Sequence, residues 1–159
     1  NILYPLGNEF DIEKSTLSPV LIGGGVGVPP LIGLARALIK KFIYPQFVMG
    51  FNTQDEVFGV DLLKNLGIVP YIVTLDGSLG YKGLVTDVLD KISFDYIFTC
   101  GPEPMLKALY NVDVDGQFSF EQRMACGFGG CMGCSCKTKY GYKRICKEGP
   151  VLFKEEILW

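Results

Sequence analysis

Histidine is absent from the 159 residues, which removes at once the commonest general base and the commonest metal ligand. Any metal chemistry must therefore rest on cysteine or carboxylate. Cysteine is itself missing from the first 99 residues, although the chain holds six. No long basic run is present and the net charge is only −2, which argues against nucleic acid as a partner. A span without charge does occur, Leu17 to Ala35, but Pro19, Pro29, Pro30 and its glycines forbid a continuous helix satisfying its own backbone in lipid. No charged segment followed by an apolar run precedes it, so nothing points to secretion, and a cytoplasmic protein without membrane association is expected. No internal repeat or low-complexity tract stands out.

What is present is a soluble globular composition, 48% apolar and 20% charged, in a length typical of one domain with a real core. From residue 18 to 120, short apolar runs alternate with helical patterns, the mark of βα units around a parallel sheet. Strands are predicted at Val20–Ile22, Phe47–Met49, Tyr71–Thr74, Tyr96–Thr99 and Gln117–Phe120. Helices are predicted at Pro30–Lys41, from Thr53 to Gly67, over Leu84–Ile92, and from Pro102 onward. The second opens on Thr53-Gln54-Asp55-Glu56, a capping-box pattern, and closes on a glycine suited to the C′ position. Residues 1–17 read as an incoming linker. Residues 121–159 form a separate Gly/Cys-rich segment, with a small hairpin at Lys137–Arg144 and a tail, Val151–Trp159, expected to pack back on the body.

The first strand runs straight into Gly23-Gly24-Gly25-Val26-Gly27-Val28-Pro29-Pro30. A glycine turn between strand and helix lets backbone N–H groups approach a pyrophosphate, with the helix N-terminus adding partial positive charge. Pro30 stands where the usual fingerprint has its third glycine, so a merely tight structural turn is the competing reading. Two further loops fall on the same predicted rim: Cys100-Gly101-Pro102-Glu103-Pro104-Met105 and the segment from Leu75 to Gly83 containing Asp76. Ligands of open α/β sheets sit along that rim. The candidate nucleotide residues are Gly24, Gly25, Gly27, Pro29, Asp76, Gly101, Pro102 and Glu103. Acidic Asp55, Glu56 and Asp76 near the strand ends favour NAD over NADP, whose 2′-phosphate would want Arg or Lys there. Cys100 is either a small buried residue at a strand end or a functional thiol.

The remaining cysteines are more specific. Cys126-x₄-Cys131-x₂-Cys134, then eleven residues to Cys146, is the plant-type 2Fe–2S pattern. Gly127, Gly129, Gly130 and Gly133 would let the chain wrap a cluster closely and aim N–H groups at its sulfurs. Structural zinc, which also takes four thiolates, is the alternative, but it usually shows two short-spaced pairs. Disulfides come last. Cys136 is read as a bystander.

A nicotinamide moves two electrons as hydride, whereas a 2Fe–2S cluster normally passes one, so a flavin is expected between them. Nothing here reads as a flavin barrel, and one is expected before residue 1.

The run from Gln122 to Cys134, with Arg144-Ile145-Cys146-Lys147-Glu148-Gly149-Pro150-Val151, resembles the electron-transfer subunits of dihydroorotate dehydrogenase B. Gly25-Val26-Gly27-Val28-Pro29-Pro30-Leu31 and Cys100-Gly101-Pro102-Glu103-Pro104-Met105 resemble the NAD-binding half of the wider ferredoxin reductase family. Pro5-Leu6-Gly7-Asn8 resembles its junction between flavin barrel and nucleotide domain. The resemblance implies a ferredoxin reductase-type α/β domain with a parallel sheet and a small C-terminal 2Fe–2S subdomain. It implies Cys100 beside the nicotinamide, and FAD held mainly by the preceding domain. It also implies an FMN-containing catalytic subunit as partner in a heterotetramer, in the oxidation of dihydroorotate with reduction of NAD. A diaphorase-like subunit of a hydrogenase or sulfide-reducing complex is the rival within redox chemistry. A nucleotide-binding module with structural zinc is the rival outside it.

Overall fold

The structure, a computed structural model, describes residues 6–159. Seven strands form one sheet: β1 (Pro19–Gly24), β2 (Gln46–Phe51), β3 (Tyr71–Thr74), β4 (Tyr81–Lys82), β5 (Tyr96–Cys100), β6 (Gly116–Ser119) and, last in the chain, β9 (Val151–Phe153). Their spatial order is β4-β3-β2-β1-β5-β6-β9. The first six are parallel, and β9 closes the edge antiparallel to β6. Between β9 and the sheet's other strands the chain makes a separate hairpin, β7 (Ser135–Thr138) with β8 (Gly141–Arg144). The tail thus packs back on the body as expected. Among the described residues no helix is long and apolar enough to cross a membrane.

Alternation along β1 explains the layering. Leu21 faces one core with Phe47, Met49 and Phe98, under α1 (Val28–Lys40). Val20 and Ile22 face the other, with Val48, Ile97, Val88 and Phe118, under α3 (Glu103–Tyr110) and the 3₁₀ turn Val85–Lys91. A strand covered on both faces must be apolar at successive positions, which is what Val20-Leu21-Ile22 supplies. Phe47, Phe98 and Phe118 are fully buried, and truncating any one to alanine should cost about 3–5 kcal/mol.

Two helical expectations change form. The Thr53–Gly67 helix is broken into a 3₁₀ turn, Gln54–Glu56, and a short α2 (Val60–Lys64). No capping box forms: Thr53 caps nothing, and the Glu56 carboxylate turns back to the Asn52 backbone N–H at 3.0 Å. Gly59 takes the left-handed conformation, φ +80°, and breaks the helical path just before α2, while Phe58 meets Phe51 edge-on with ring centres 5.5 Å apart. Gly67 does take the left-handed conformation at the end, φ +78°. The Leu84–Ile92 segment is 3₁₀ rather than α, with Val85, Val88 and Leu89 buried and Leu84 exposed. Residues 75–83, read as loop, contain β4.

Residues 6–17 are fastened to the body. Phe10 meets Phe98 edge-on at 5.7 Å, and the Asp11 N–H donates to the Gln117 side chain at 2.7 Å. Pro5 and the residues before it, part of the junction resemblance, lie outside the described residues.

Candidate functional site

The sheet sets the site. From β1 the chain adds strands outward as β2, β3 and β4 on one side, then crosses to β5 and β6 on the other. That reversal opens a crevice at the C-terminal ends of β1 and β5, where Gly23 and Cys100 are register partners. The glycine turn and the Cys100–Glu103 turn therefore emerge side by side.

Their glycines do different work. Gly25 takes φ +51° with open space where a side chain would project, so its backbone faces outward. A Cβ on Gly24 would meet Met105 Sδ at 2.8 Å and Pro102 Cδ at 2.9 Å, which locks the first turn onto α3. Gly101 is similarly crowded by Met105. Pro29 is exposed in the first turn of α1, where its missing N–H costs nothing. Pro102 and Glu103 are exposed at the start of α3. Asp76 stands on the same rim, two strands from β1. Its carboxylate accepts from the Ser78 hydroxyl at 2.6 Å and the Ser78 N–H at 2.9 Å, which hold its pKa below the usual value. Glu56, on the neighbouring turn, is also lowered, chiefly by the Asn52 N–H.

Cys100 ends β5 half-buried. Burial pushes its thiol pKa up, the Ser119 hydroxyl opposing. Cys100 lines a cavity of about 320 Å³ together with Val26, Phe120, Met124, Ile145 and Cys146. The nucleotide rim and the cysteine segment thus meet in one mostly apolar cleft.

All six cysteines are free thiols, so the disulfide reading falls away. Cys134 and Cys146 are buried, Cys126 is half-buried and Cys131 is exposed. The Cys131 N–H donates to Cys126 Sγ at 3.4 Å, the Gly133 N–H to Cys131 Sγ at 3.4 Å, and the Cys146 N–H to Cys134 Sγ at 3.4 Å. The first of these bonds is the main cause of a Cys126 pKa lowered to about 6. Cys134 is lowered, chiefly by the Cys146 N–H, while Cys146 is raised by donating its own proton to Cys134. Gly127 and Gly129 use the left-handed conformation, φ +73° and +85°, to turn the loop; Met132 does so at φ +60°.

Among the described residues the thiols stand as two hydrogen-bonded pairs, and no three ligand side chains converge as on a single ion. The donor chemistry nonetheless fits an iron–sulfur cluster: four thiols, backbone N–H groups aimed at sulfur, and a spare donor. That donor is the Ser135 hydroxyl, beside Cys134, buried without a partner. Cys136 packs both against the cluster of Cys134, Ile145 and Cys146 and against the second core of the body.

Comparison with known proteins follows the same division. Residues 121–158 match the family model described as the iron–sulfur cluster binding domain of dihydroorotate dehydrogenase B. The dihydroorotate dehydrogenase B (NAD(+)) electron-transfer subunit of Fusobacterium nucleatum is 45% identical over 99% of this chain and 64% of its own length. That of a Geobacillus species is 42% identical over 99% of this chain and 65% of its own. Over almost its whole length the chain is similar to dihydroorotate dehydrogenase B electron-transfer subunits. It spans 64–65% of the length of these relatives. Among solved structures, an NADH-dependent reduced ferredoxin-NADP oxidoreductase described for flavin-based electron bifurcation superposes with a TM-score of 0.82 at 33% identity, covering 100% of this chain and 60% of that one. The α/β ferredoxin reductase-like architecture is thereby established.

Sequence reasoning missed three contributors. Met124 falls in the run from Gln122 to Cys134 and Phe120 at the end of a predicted strand, but neither signalled that it lines the cleft. Asn8 ties the start of the described chain to Glu148 and Val151. Arg144 and Glu148 form a bidentate ion pair beside Cys146. Asn8, Met124 and the pair lie inside runs that carry the resemblance, yet nothing in those runs says what each side chain touches, and opposite charges four residues apart have no standing outside a helix.

Proposed function

We propose that this chain is the nucleotide-binding and cluster-binding part of an electron-transfer subunit, working between NAD and a partner flavoenzyme. The observation that carries this is the shared cleft: Cys100 at one wall and Cys146 at another line the same cavity of about 320 Å³. Hydride chemistry at the nucleotide rim and one-electron chemistry at the cysteine segment would be brought within one apolar enclosure.

In this reading Gly25 offers its backbone to the pyrophosphate, and α1 and α3 direct their N-termini at the rim. Gly24, Gly27, Gly101 and Pro102 shape the two turns, and Glu103 and Pro29 flank them. Cys100, kept protonated by burial, contacts the nicotinamide edge without competing as an anion. Asp76, held ionised by Ser78, disfavours a 2′-phosphate and so favours NAD. Val26, Phe120 and Met124 wall the cleft against water where FAD, held mainly by the remaining third of the full-length protein, would reach. Cys126, Cys131, Cys134 and Cys146 hold a 2Fe–2S cluster, which supplies one-electron transfer when bound. Met124, Phe128 and Met132 lie 52%, 66% and 52% exposed around that loop, an apolar surface suited to a partner subunit. The partner favoured is an FMN-containing dihydroorotate dehydrogenase, in a heterotetramer in the cytoplasm, with NAD reduction as the net outcome.

A second reading has a specific observation behind it, the likeness to the bifurcating oxidoreductase at 33% identity. There the chain would be a diaphorase-like subunit of a hydrogenase or sulfide-reducing complex. The two are separated by copurification of the full-length protein. Recovery with an FMN subunit that oxidises dihydroorotate and reduces NAD supports the first. Recovery with another redox complex and no such activity overturns it. Iron and acid-labile sulfide analysis after anaerobic purification tests the cluster itself, and one zinc without sulfide would end that part.

A further inference from the structure

Arg144 ends β8 two residues before Cys146, and its guanidinium reaches across to the other half of the cysteine set. Nη1 donates to the Gly129 carbonyl at 2.7 Å, inside the loop between Cys126 and Cys131. Nε donates to Glu148 Oε2 at 2.9 Å, and Nη2 closes the fork on Oε1. Glu148 Oε2 also accepts the Arg144 backbone N–H at 2.8 Å. The Arg144 carbonyl in turn accepts the N–H groups of Lys147, Glu148 and Gly149, at 3.0, 2.8 and 3.2 Å. One residue thus organises the turn carrying Cys146 and grips the loop carrying Cys126 and Cys131.

As an isolated ion pair this would add little to stability, because both side chains keep partial solvent contact. Its position gives it another use. Groups that orient metal ligands, and charges close to a cluster, govern how firmly it is held and at what potential it accepts an electron. A cation near the cluster favours the reduced, more negative form, and a carboxylate opposes it. Here the two are coupled, so their net charge is zero while their geometry braces the loop.

We propose that Arg144 and Glu148 are a positioning pair for the cluster: the guanidinium holds the Gly129 loop against the Cys146 turn, and the balance of the two charges sets the potential. This rests on the reading of the four cysteines as 2Fe–2S ligands.

The test uses the full-length protein, reconstituted anaerobically with iron and sulfide. Midpoint potentials come from EPR-monitored redox titration, and cluster retention from the rate of iron release to a chelator. Glu148→Gln should raise the midpoint and Arg144→Gln should lower it, opposite shifts that a purely structural role would not produce. Arg144→Lys keeps the charge but loses the fork, so its midpoint should stay near wild type while iron release quickens about tenfold or more. Shifts of the same sign in both charge variants, or wild-type release from Arg144→Lys, would overturn the proposal. If Arg144→Gln fails to hold a cluster, the upward shift in Glu148→Gln and the release rate in Arg144→Lys decide. Failure of the underlying reading looks different: the wild-type protein itself would lack acid-labile sulfide, which overturns the ligand assignment and the pair's role together.

Discussion

Gly27 lies against the carbonyl of Cys100, so close that a Cβ on the glycine would fall 2.0 Å from that oxygen. The glycine turn after β1 and the turn after β5 therefore share a backbone seam, built on the pairing of Gly23 with Cys100. Glycine serves close approach here, whereas Gly25, two residues earlier, serves a left-handed backbone facing open space.

Alanine at the two positions should separate those roles. Gly27→Ala must push the turns apart and should cost about 1–3 kcal/mol, with loss of nucleotide binding alongside. Gly25→Ala pays only the left-handed penalty, roughly 1–2 kcal/mol, and should weaken nucleotide binding while the fold persists. Urea unfolding and NADH titration of the two variants check this; a greater loss of stability in Gly25→Ala than in Gly27→Ala would contradict it.

The raised pKa of Cys100 has a defined sign. Burial favours the neutral thiol in the folded state, so its contribution is complete below the unfolded pKa of about 8.5. It is lost as pH rises through the folded value, because the unfolded chain gives up its proton first. Urea midpoints between pH 7 and 10 should therefore fall less steeply in Cys100→Ala than in wild type. Iodoacetamide at pH 8, followed by mass spectrometry of the cluster-free protein, should label Cys100 more slowly than exposed Cys131.

Cys146→Ser should cost most of the iron and acid-labile sulfide, because its thiol is buried beside Cys134. Cys136→Ser should leave both contents near wild type: Cys136 packs beside Cys134 and Cys146, but the backbone N–H groups aimed at sulfur serve Cys126, Cys131 and Cys134. Matching losses would mean that the fourth ligand is misassigned.

Asn8 holds the start of the described chain to the cluster segment. Its Nδ2 donates to the Val151 carbonyl at 2.8 Å and the Glu148 carbonyl at 3.2 Å, and its Oδ1 accepts the Val151 N–H at 2.9 Å. Asn8→Ala should destabilise by about 1–3 kcal/mol, through a stranded Val151 N–H. Hydrogen exchange should report faster opening at Val151 while β1 and β5 stay protected.

Much of this protein was legible in local pattern. Consecutive apolar residues in Val20-Leu21-Ile22 announce a strand covered on both faces, and glycines at its end announce a turn a helix can follow. The spacing of Cys126, Cys131, Cys134 and Cys146 proposes a ligand set, because a loop's reach depends on residue count. Such features depend on neighbours a few positions away. The contact of Phe58 with Phe51 beside the break at Gly59 does not. Nor does the meeting of Gly27 with Cys100, the cleft that joins Cys100 to Cys146, or the grip of Arg144 on Gly129. Each pairs groups that no periodicity relates. Strand order and register bring them together, and only the closed sheet, with the tail returned as β9, decides which groups come within bonding distance.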